Sequence, residues 1–387
     1  MLVLSGGTVV DADGEREADV HIEEGEITAV ETDSGTPDST DAEEVDVSRK
    51  YVCPGLIDAH VHLMLDGRPD PGSTTDQSEF ELAYRAAANC RAALDAGVTT
   101  VRDLGAPGTL ALDAGRLVEE GVIDGPRVLA CGENVVMTGG HGNWFGREAD
   151  GKGEVKKAVR EQLARGAEVV KCMATGGVLT EGAVIGAPEL DVEELETLVE
   201  TANAKRVPTA AHAHGTEGMR NAVQAGITSI EHGTFMDREV AELMADRGTY
   251  WVPTASAFRG ILDNSEAGIP EWAVAKAQQA AEAFADTFEH ASAAGVPVAM
   301  GTDAGTPFNF HCEIPRELEF MVEFGLSPAN ALEAATATAA DLLGLDDVGK
   351  VEDGYRADLV VLPENPVEDV SAWQEPEEIL RAGERVR

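Results

Sequence analysis

Residues 55–63 (GLIDAHVHL), 81–97 (ELAYRAAANCRAALDAG) and 97–105 (GVTTVRDLG) decide the fold. The outer two are short apolar runs, while the middle one is long, rich in Ala and apolar at helical spacing, so the trio reads as strand, helix, strand. Two strands joined through a helix pair in parallel, since a crossover of that length returns the chain to the same edge. Further runs of the same kind lie within 126–132 (PRVLACG), 167–176 (AEVVKCMATG), 207–215 (VPTAAHAHG), 227–233 (ITSIEHG), 250–256 (YWVPTAS) and 296–305 (VPVAMGTDAG), which brings the total to eight. Segments of helical period such as EVKKAVREQLARGA (154–167) separate them. Eight strand and helix units at this length predict an α/β fold of the (β/α)8 TIM-barrel type over residues 54–345 rather than an open sheet.

The chain ends differ in kind. LVLSGGTVVDA (2–12) and ADVHIEEGEITAVE (18–31) alternate apolar and polar residues between Gly and Asp turn signals, the pattern of antiparallel strands. SGTPDSTDAEEVD (34–46) is polar and acidic and reads as an exposed loop. GKVEDGYRADLVVL (349–362) and EEILRAG (377–383) repeat the strand character. Residues 1–53 and 346–387 are therefore expected to join in one small β-sandwich domain beside the barrel.

Composition narrows the partners. The 387 residues carry 71 Asp+Glu against 29 Lys+Arg, a formal charge of −42, which repels nucleic acid and anionic lipid. With 43% hydrophobic residues in short β-branched runs, the charge does not signal disorder. Only eight of the 29 basic residues are Lys and the acids are spread along the chain, so a salt-adapted surface is expected. The five Cys show no CxxC or pairing rhythm and read as reduced thiols. Neither a secretion signal nor an apolar stretch of membrane-spanning length is apparent, so a cytoplasmic protein without membrane contact is expected.

In a barrel of this kind the chemistry sits where strands end. Five of the nine His lie there: His60 and His62, His212 and His214, and His232. Residues i and i+2 of a strand face one side, so each HxH pair can aim two imidazoles at one cation. Asp303 ends the eighth run and can bind a metal, accept a proton from water, or merely cap the following helix. Lys171 ends the fourth run among Val residues. A buried ammonium beside dications is repelled, whereas the neutral amine can take up carbon dioxide and become a bridging carbamate. His141 lies in the Gly-rich MTGGHG loop (137–142), where small neighbours allow close approach to a ligand. Arg259 and Tyr250 are weaker candidates for holding a substrate carboxylate.

The order of these residues, HxH on strand one, Lys on strand four, His on strands five and six, and Asp on strand eight, resembles the amidohydrolase superfamily in its binuclear form with a carboxylated lysine. YVCPGLIDAHVHL (51–63), MTGGHG, VKCMATGGV (170–178), AAHAHGTEG (210–218) and SIEHGTF (229–235) are similar to its Xaa-Pro dipeptidase or prolidase-like group. More distantly they resemble imidazolonepropionase. The resemblance implies two divalent metal ions, one held by His60, His62 and Asp303 and the other by His212 and His232, with carboxylated Lys171 as the bridge. His214 could replace His212 as the fifth-strand ligand and otherwise faces the substrate. His141 would polarise the scissile carbonyl. Zn²⁺ suits such a His-rich hydrolytic site, with Mn²⁺ or Co²⁺ as further candidates.

The chemistry so implied is hydrolysis of an amide by a hydroxide shared between two metals, with Asp303 carrying the proton to the leaving nitrogen. A dipeptidase of the prolidase-like kind, taking a dipeptide or other small molecule, is the leading expectation. A cyclic-amide hydrolase like imidazolonepropionase and a barrel kept only as a binding scaffold are the competing ones. A homo-oligomer is compatible with the sequence.

Overall fold

The computed structural model describes residues 1–32 and 42–386. The chain begins with β1 (Leu2–Asp11), β2 (Gly14–Glu23), β3 (Glu26–Glu31), β4 (Glu43–Asp46) and β5 (Tyr51–Pro54). It then enters a ring of strands at β6 (Leu56–Val61), β7 (Val98–Asp103) and β8 (Arg127–Ala130). A short ladder, β9 (Val135–Val136) with β10 (Arg147–Glu148), brackets the loop that carries His141. The ring continues through β11 (Val170–Met173), β12 (Thr209–Ala213), β13 (Ser229–His232) and β14 (Tyr250–Val252), each parallel to its neighbour.

The eighth run is not a continuous ladder strand. It closes the ring through isolated parallel bridges, Trp251 to Val298 and Val61 to Ala304. The main-chain N–H of Ala59 donates to Met300 at 2.9 Å, and that of Asp303 donates to His60 at 2.7 Å. On the other side Glu168 N–H donates to Ala130 O at 3.0 Å and joins the third strand to the fourth. The eight expected strand positions therefore form one α/β barrel, with helices on its outside.

Those helices form where local signals agree with burial. The Ala-rich segment 81–97 lies in the helix Glu79–Asp95, started by a Ser78/Glu81 capping box. Its buried residues Leu82, Ala86, Cys90 and Ala93 repeat every three or four positions and face the barrel. Gly97, at φ +86°, ends it in a conformation that favours glycine. Among the described residues no helix is long and apolar enough to cross a membrane.

Both chain ends build one mixed sheet. β15 (Leu359–Leu362), β16 (Glu378–Arg381) and β17 (Glu384–Arg385) join β5 and the N-terminal strands in the order β17-β16-β15-β5-β1-β2-β3, with β4 also on β1. Leu4, Val9, Val20, Ile27, Val52, Leu359 and Val361 make its own core. Of the stretch expected to be a loop at 34–46, residues 34–41 lie outside the described residues. Residues 43–46 depart from expectation by forming β4, in register with Leu2–Ser5 of β1. The reason is backbone pairing: one side chain, Val45, packs on the core while its acidic neighbours face water, so apolar alternation is too weak to announce the strand.

Candidate metal centre and substrate cavity

Six imidazoles, Lys171 and Asp303 line one cavity at the ends of the barrel strands. His60 and His62 reach it from β6 with ring centroids 5.5 Å apart, and Asp303 Oδ1 lies 3.4 and 3.3 Å from their Nε2 atoms. His212 and His214 both enter from β12, as i and i+2 should, with centroids 4.6 Å apart. His232 completes the group at 4.6 Å from His212 and 5.2 Å from His60. Two sets of ligand atoms each lie within 4.8 Å of one another, His212 with His214 and His232, and His60 with His232 and Asp303. Thus His214 shares the fifth-strand position with His212 as far as distance is concerned.

Strand alternation alone would not place all of these inside. Glu231 and His232 are consecutive, yet both point inward, because His232 turns into the left-handed region at φ 68°. Asp303 and Thr254 do the same at φ 59° and 57°. Non-glycine residues in that region are strained and cluster at working sites.

Hydrogen bonds behind the rings set which nitrogen faces the cavity. His60 donates Nδ1–H to Glu231 at 2.9 Å and His62 donates Nδ1–H to Gly105 O at 2.9 Å. Nδ1 of His232 meets Thr254 Oγ1 at 2.7 Å, that of His214 meets Thr234 Oγ1 at 2.6 Å, and that of His141 meets Thr180 Oγ1 at 2.8 Å. Glu231 is fully buried and also accepts from Arg102 Nη2 at 3.0 Å and Ser229 Oγ at 2.5 Å. Arg102 is itself held under the site by Ala59 O at 2.6 Å. Asp58 ties the first strand to the eighth by accepting from the main-chain N–H and hydroxyl of Thr302. None of Glu231, Arg102, Asp58 or the three Thr was singled out by sequence.

The donor set fits divalent ions. Burial holds His60, His212 and His232 well below the usual imidazole range and His141 and His214 at about 3, so these rings are neutral, as a cation requires. Burial also acts against His62, but Asp303 beside it leaves its pKa raised. Lys171, 1% exposed, is pushed down by burial, with Glu231 and Asp303 opposing the shift. Among the described residues His212 Nε2 is buried with no hydrogen-bond partner. Gly177 leaves room there, since a Cβ would lie 2.5 Å from His141 Nε2 and 2.7 Å from His212 Nε2.

The remaining wall is apolar. Trp144, Phe145, Val178 and Leu179 come from the loops after the third and fourth strands, and Phe258, Ile261 and Phe284 from helices on the opposite side. Lys171 and Asp303 are the charged lysine and carboxylate groups of the lining among the described residues. Arg259 and Tyr250 do not line it. Arg259 pairs with Glu323 at 3.3 Å, and the Tyr250 hydroxyl bonds Asp341. Both are spent on surface contacts, so neither holds a substrate from the cavity wall.

Comparison with known proteins agrees with this architecture. Residues 51–384 match the model of the amidohydrolase family. Ochratoxinase of Aspergillus niger is 33% identical over 380 residues, covering 87% of this chain and 77% of its own. A crystal structure of a Xaa-Pro dipeptidase with methionine bound in its active site is 31% identical, with a TM-score of 0.94, over 100% of this chain and 99% of that one. A prolidase complexed with N-methylphosphonate-L-proline is 30% identical, also at a TM-score of 0.94, over 100% and 99% of the two chains.

Proposed function

This chain belongs to the amidohydrolase family, and from that premise we propose that it is a metal-dependent hydrolase of peptide-type amides, a dipeptidase of the prolidase-like kind that prefers bulky apolar side chains. The observation that carries the reading is the convergence of six rings, Lys171 and Asp303 on one cavity whose other walls are apolar and aromatic. His60, His62 and Asp303 would hold one divalent ion, and His212 and His232 the second, with Lys171 as carbamate between them. Divalent metal, when bound, supplies a nucleophilic water at neutral pH and polarises the carbonyl. The rest falls to the protein. The Asp303 carboxylate takes the proton of the attacking water and returns it to the leaving nitrogen. His141 donates to the oxygen that becomes negative, and His214 flanks the substrate. Trp144, Phe145, Phe258 and Phe284 seat side chains on both sides of the amide and exclude water.

A second reading, an N-acyl amino acid as substrate, is favoured by one observation. Asp303 is the lining carboxylate, and as a ligand it is not free to pair with the ammonium of a dipeptide. The test is a panel of free dipeptides with Pro or aromatic residues, their N-acylated forms and cyclic amides, with bound metal measured on the same preparation. Hydrolysis of the acyclic amides with about two metals per chain supports the proposal. Turnover of cyclic amides alone, or less than about one metal per chain, refutes it.

A further inference from the structure

Three rings of the cavity have their Nδ1 proton fixed by an accepting partner. His60 and His62 give their Nδ1 protons to a carboxylate and a carbonyl. Thr254 spends its hydroxyl proton on Pro253 O at 2.7 Å, so its oxygen accepts Nδ1–H from His232. In its neutral form each of the three then carries its lone pair at Nε2, as a metal ligand must, with Asp303 Oδ1 3.4 and 3.3 Å from Nε2 of His60 and His62.

At His141 the polarity is reversed. Thr180 Oγ1 accepts the main-chain N–H of Gly142 at 3.4 Å and lies 2.8 Å from His141 Nδ1. Among the described residues its own proton has no other acceptor, so the hydroxyl donates to Nδ1 and the neutral ring carries its hydrogen on Nε2. An Nε2–H ring can donate to a carbonyl oxygen but cannot ligate a metal through that atom.

Thr180 is held from two sides. It lies on an excursion of residues 177–185 whose neck is closed by Gly176 N–H to Ala187 O and Gly186 N–H to Gly176 O, both 2.9 Å. Lys276 Nζ donates to Thr180 O at 2.8 Å and Gly177 O at 3.2 Å, and stands 5.2 Å from the Trp272 ring. Farther along the same segment, Glu189 accepts the main-chain N–H of His141 at 2.9 Å. On the helix Glu271–Ala294, Lys276 precedes Ala280 and Phe284 by one and two turns, and both of these line the cavity.

We propose that Thr180 and Lys276 are positioning residues for the hydrolysis. Thr180 sets His141 as an Nε2–H donor, and Lys276 latches the main chain carrying Thr180 to the helix that forms the substrate wall. The inference rests on the role given to His141 above and names what that role requires.

The test uses metal-loaded enzyme labelled with 15N-histidine, as wild type and as Thr180→Val, Thr180→Ser, Lys276→Met and His141→Ala. The ring signal missing in His141→Ala identifies the residue. It should report Nε2–H in the wild type and in Thr180→Ser, and a mixed or Nδ1–H form in Thr180→Val. With N-acetyl-phenylalanyl-proline as probe, Thr180→Val should lose about 10- to 100-fold in kcat, the usual cost of removing an outer partner. KM should move little, and Thr180→Ser should recover most of the rate. Lys276→Met should be slower than wild type, and adding it to Thr180→Val should cost little more, because both act through one contact. An Nδ1–H form in the wild type, or Thr180→Ser as slow as Thr180→Val, overturns the proposal. Full kcat in His141→Ala would overturn the role of His141 instead, with the ring signal still deciding what Thr180 does.

Discussion

Replacing Glu231 by Gln probes how firmly the site depends on a charge that touches no substrate. Glu231 is fully buried and Arg102 is 1% exposed, with 3.0 Å between them. Gln keeps the shape of the side chain and removes its charge, which leaves the Arg102 guanidinium buried with no other ion pair among the described residues. Breaking a buried pair from one side costs about 3 to 5 kcal/mol. Spread over an unfolding entropy of about 2 cal/mol/K for each residue of the chain, that is a fall of roughly 4 to 6 °C in Tm. His60 simultaneously loses the carboxylate behind Nδ1, so metal affinity should drop about 10- to 100-fold. Pairing Glu231→Gln with Arg102→Met separates the two effects: Tm should recover in part, since no lone charge remains, while the metal defect persists. Thermal melts of chelated protein in molar KCl and a metal titration of the same protein measure them. A Glu231→Gln protein that melts within about 1 °C of wild type and binds metal equally well would refute the reasoning.

Three further outcomes are expected. His141→Ala should lower kcat by about 10² to 10³ with metal content and KM nearly intact, whereas His232→Ala should lose metal as well as rate. Lys171→Ala should lose activity and metal, and short carboxylates added to it should restore part of both by taking the bridging position; full activity without them would exclude the carbamate. Stable folding should require molar salt, because at roughly 0.1 M salt or below a screening length of about 10 Å or more lets surface acids repel one another. An unchanged Tm between low and molar salt would count against that.

Barrel and end sheet were legible because both depend on patterns that burial imposes on whole segments. GVTTVRDLG is buried along its whole strand and PRVLACG at alternate residues, so β-branched and apolar residues mark both runs. β4 was missed because a strand at the margin needs only backbone pairing and one inward side chain, and EEVD provides no more. The eighth run met expectation in position but not in form, for Pro297 has no N–H to give and the chain turns left-handed at Asp303, so the ladder is reduced to bridges at Val298 and Ala304.

Site residues were legible to the extent that a rare residue type sat at a strand end. His and Lys satisfy that condition, whereas Thr does not, being common everywhere. Yet the threonines follow a rule. His214 at the end of β12 is bonded by Thr234, just past the end of β13, and His232 at the end of β13 by Thr254, just past the end of β14. Parallel neighbours bring residues of equal height side by side, so the partner of a ring at one strand end belongs near the end of the next strand, about 20 residues on, the length of one strand and helix unit. For His214 and His232 the usable signal is therefore a hydroxyl residue one unit after the His. His60 and His62 escape the rule, since β6 binds across the barrel to Glu231 and forward to Gly105. His141 escapes it as well, because its partner Thr180 comes from a loop excursion and not from a strand end. Glu231, Gly105 O and Thr254 accept from His60, His62 and His232, whereas Thr180 donates to His141. Which nitrogen of each ring faces the cavity thus depends on whether the group behind it can only accept or still has a proton to give.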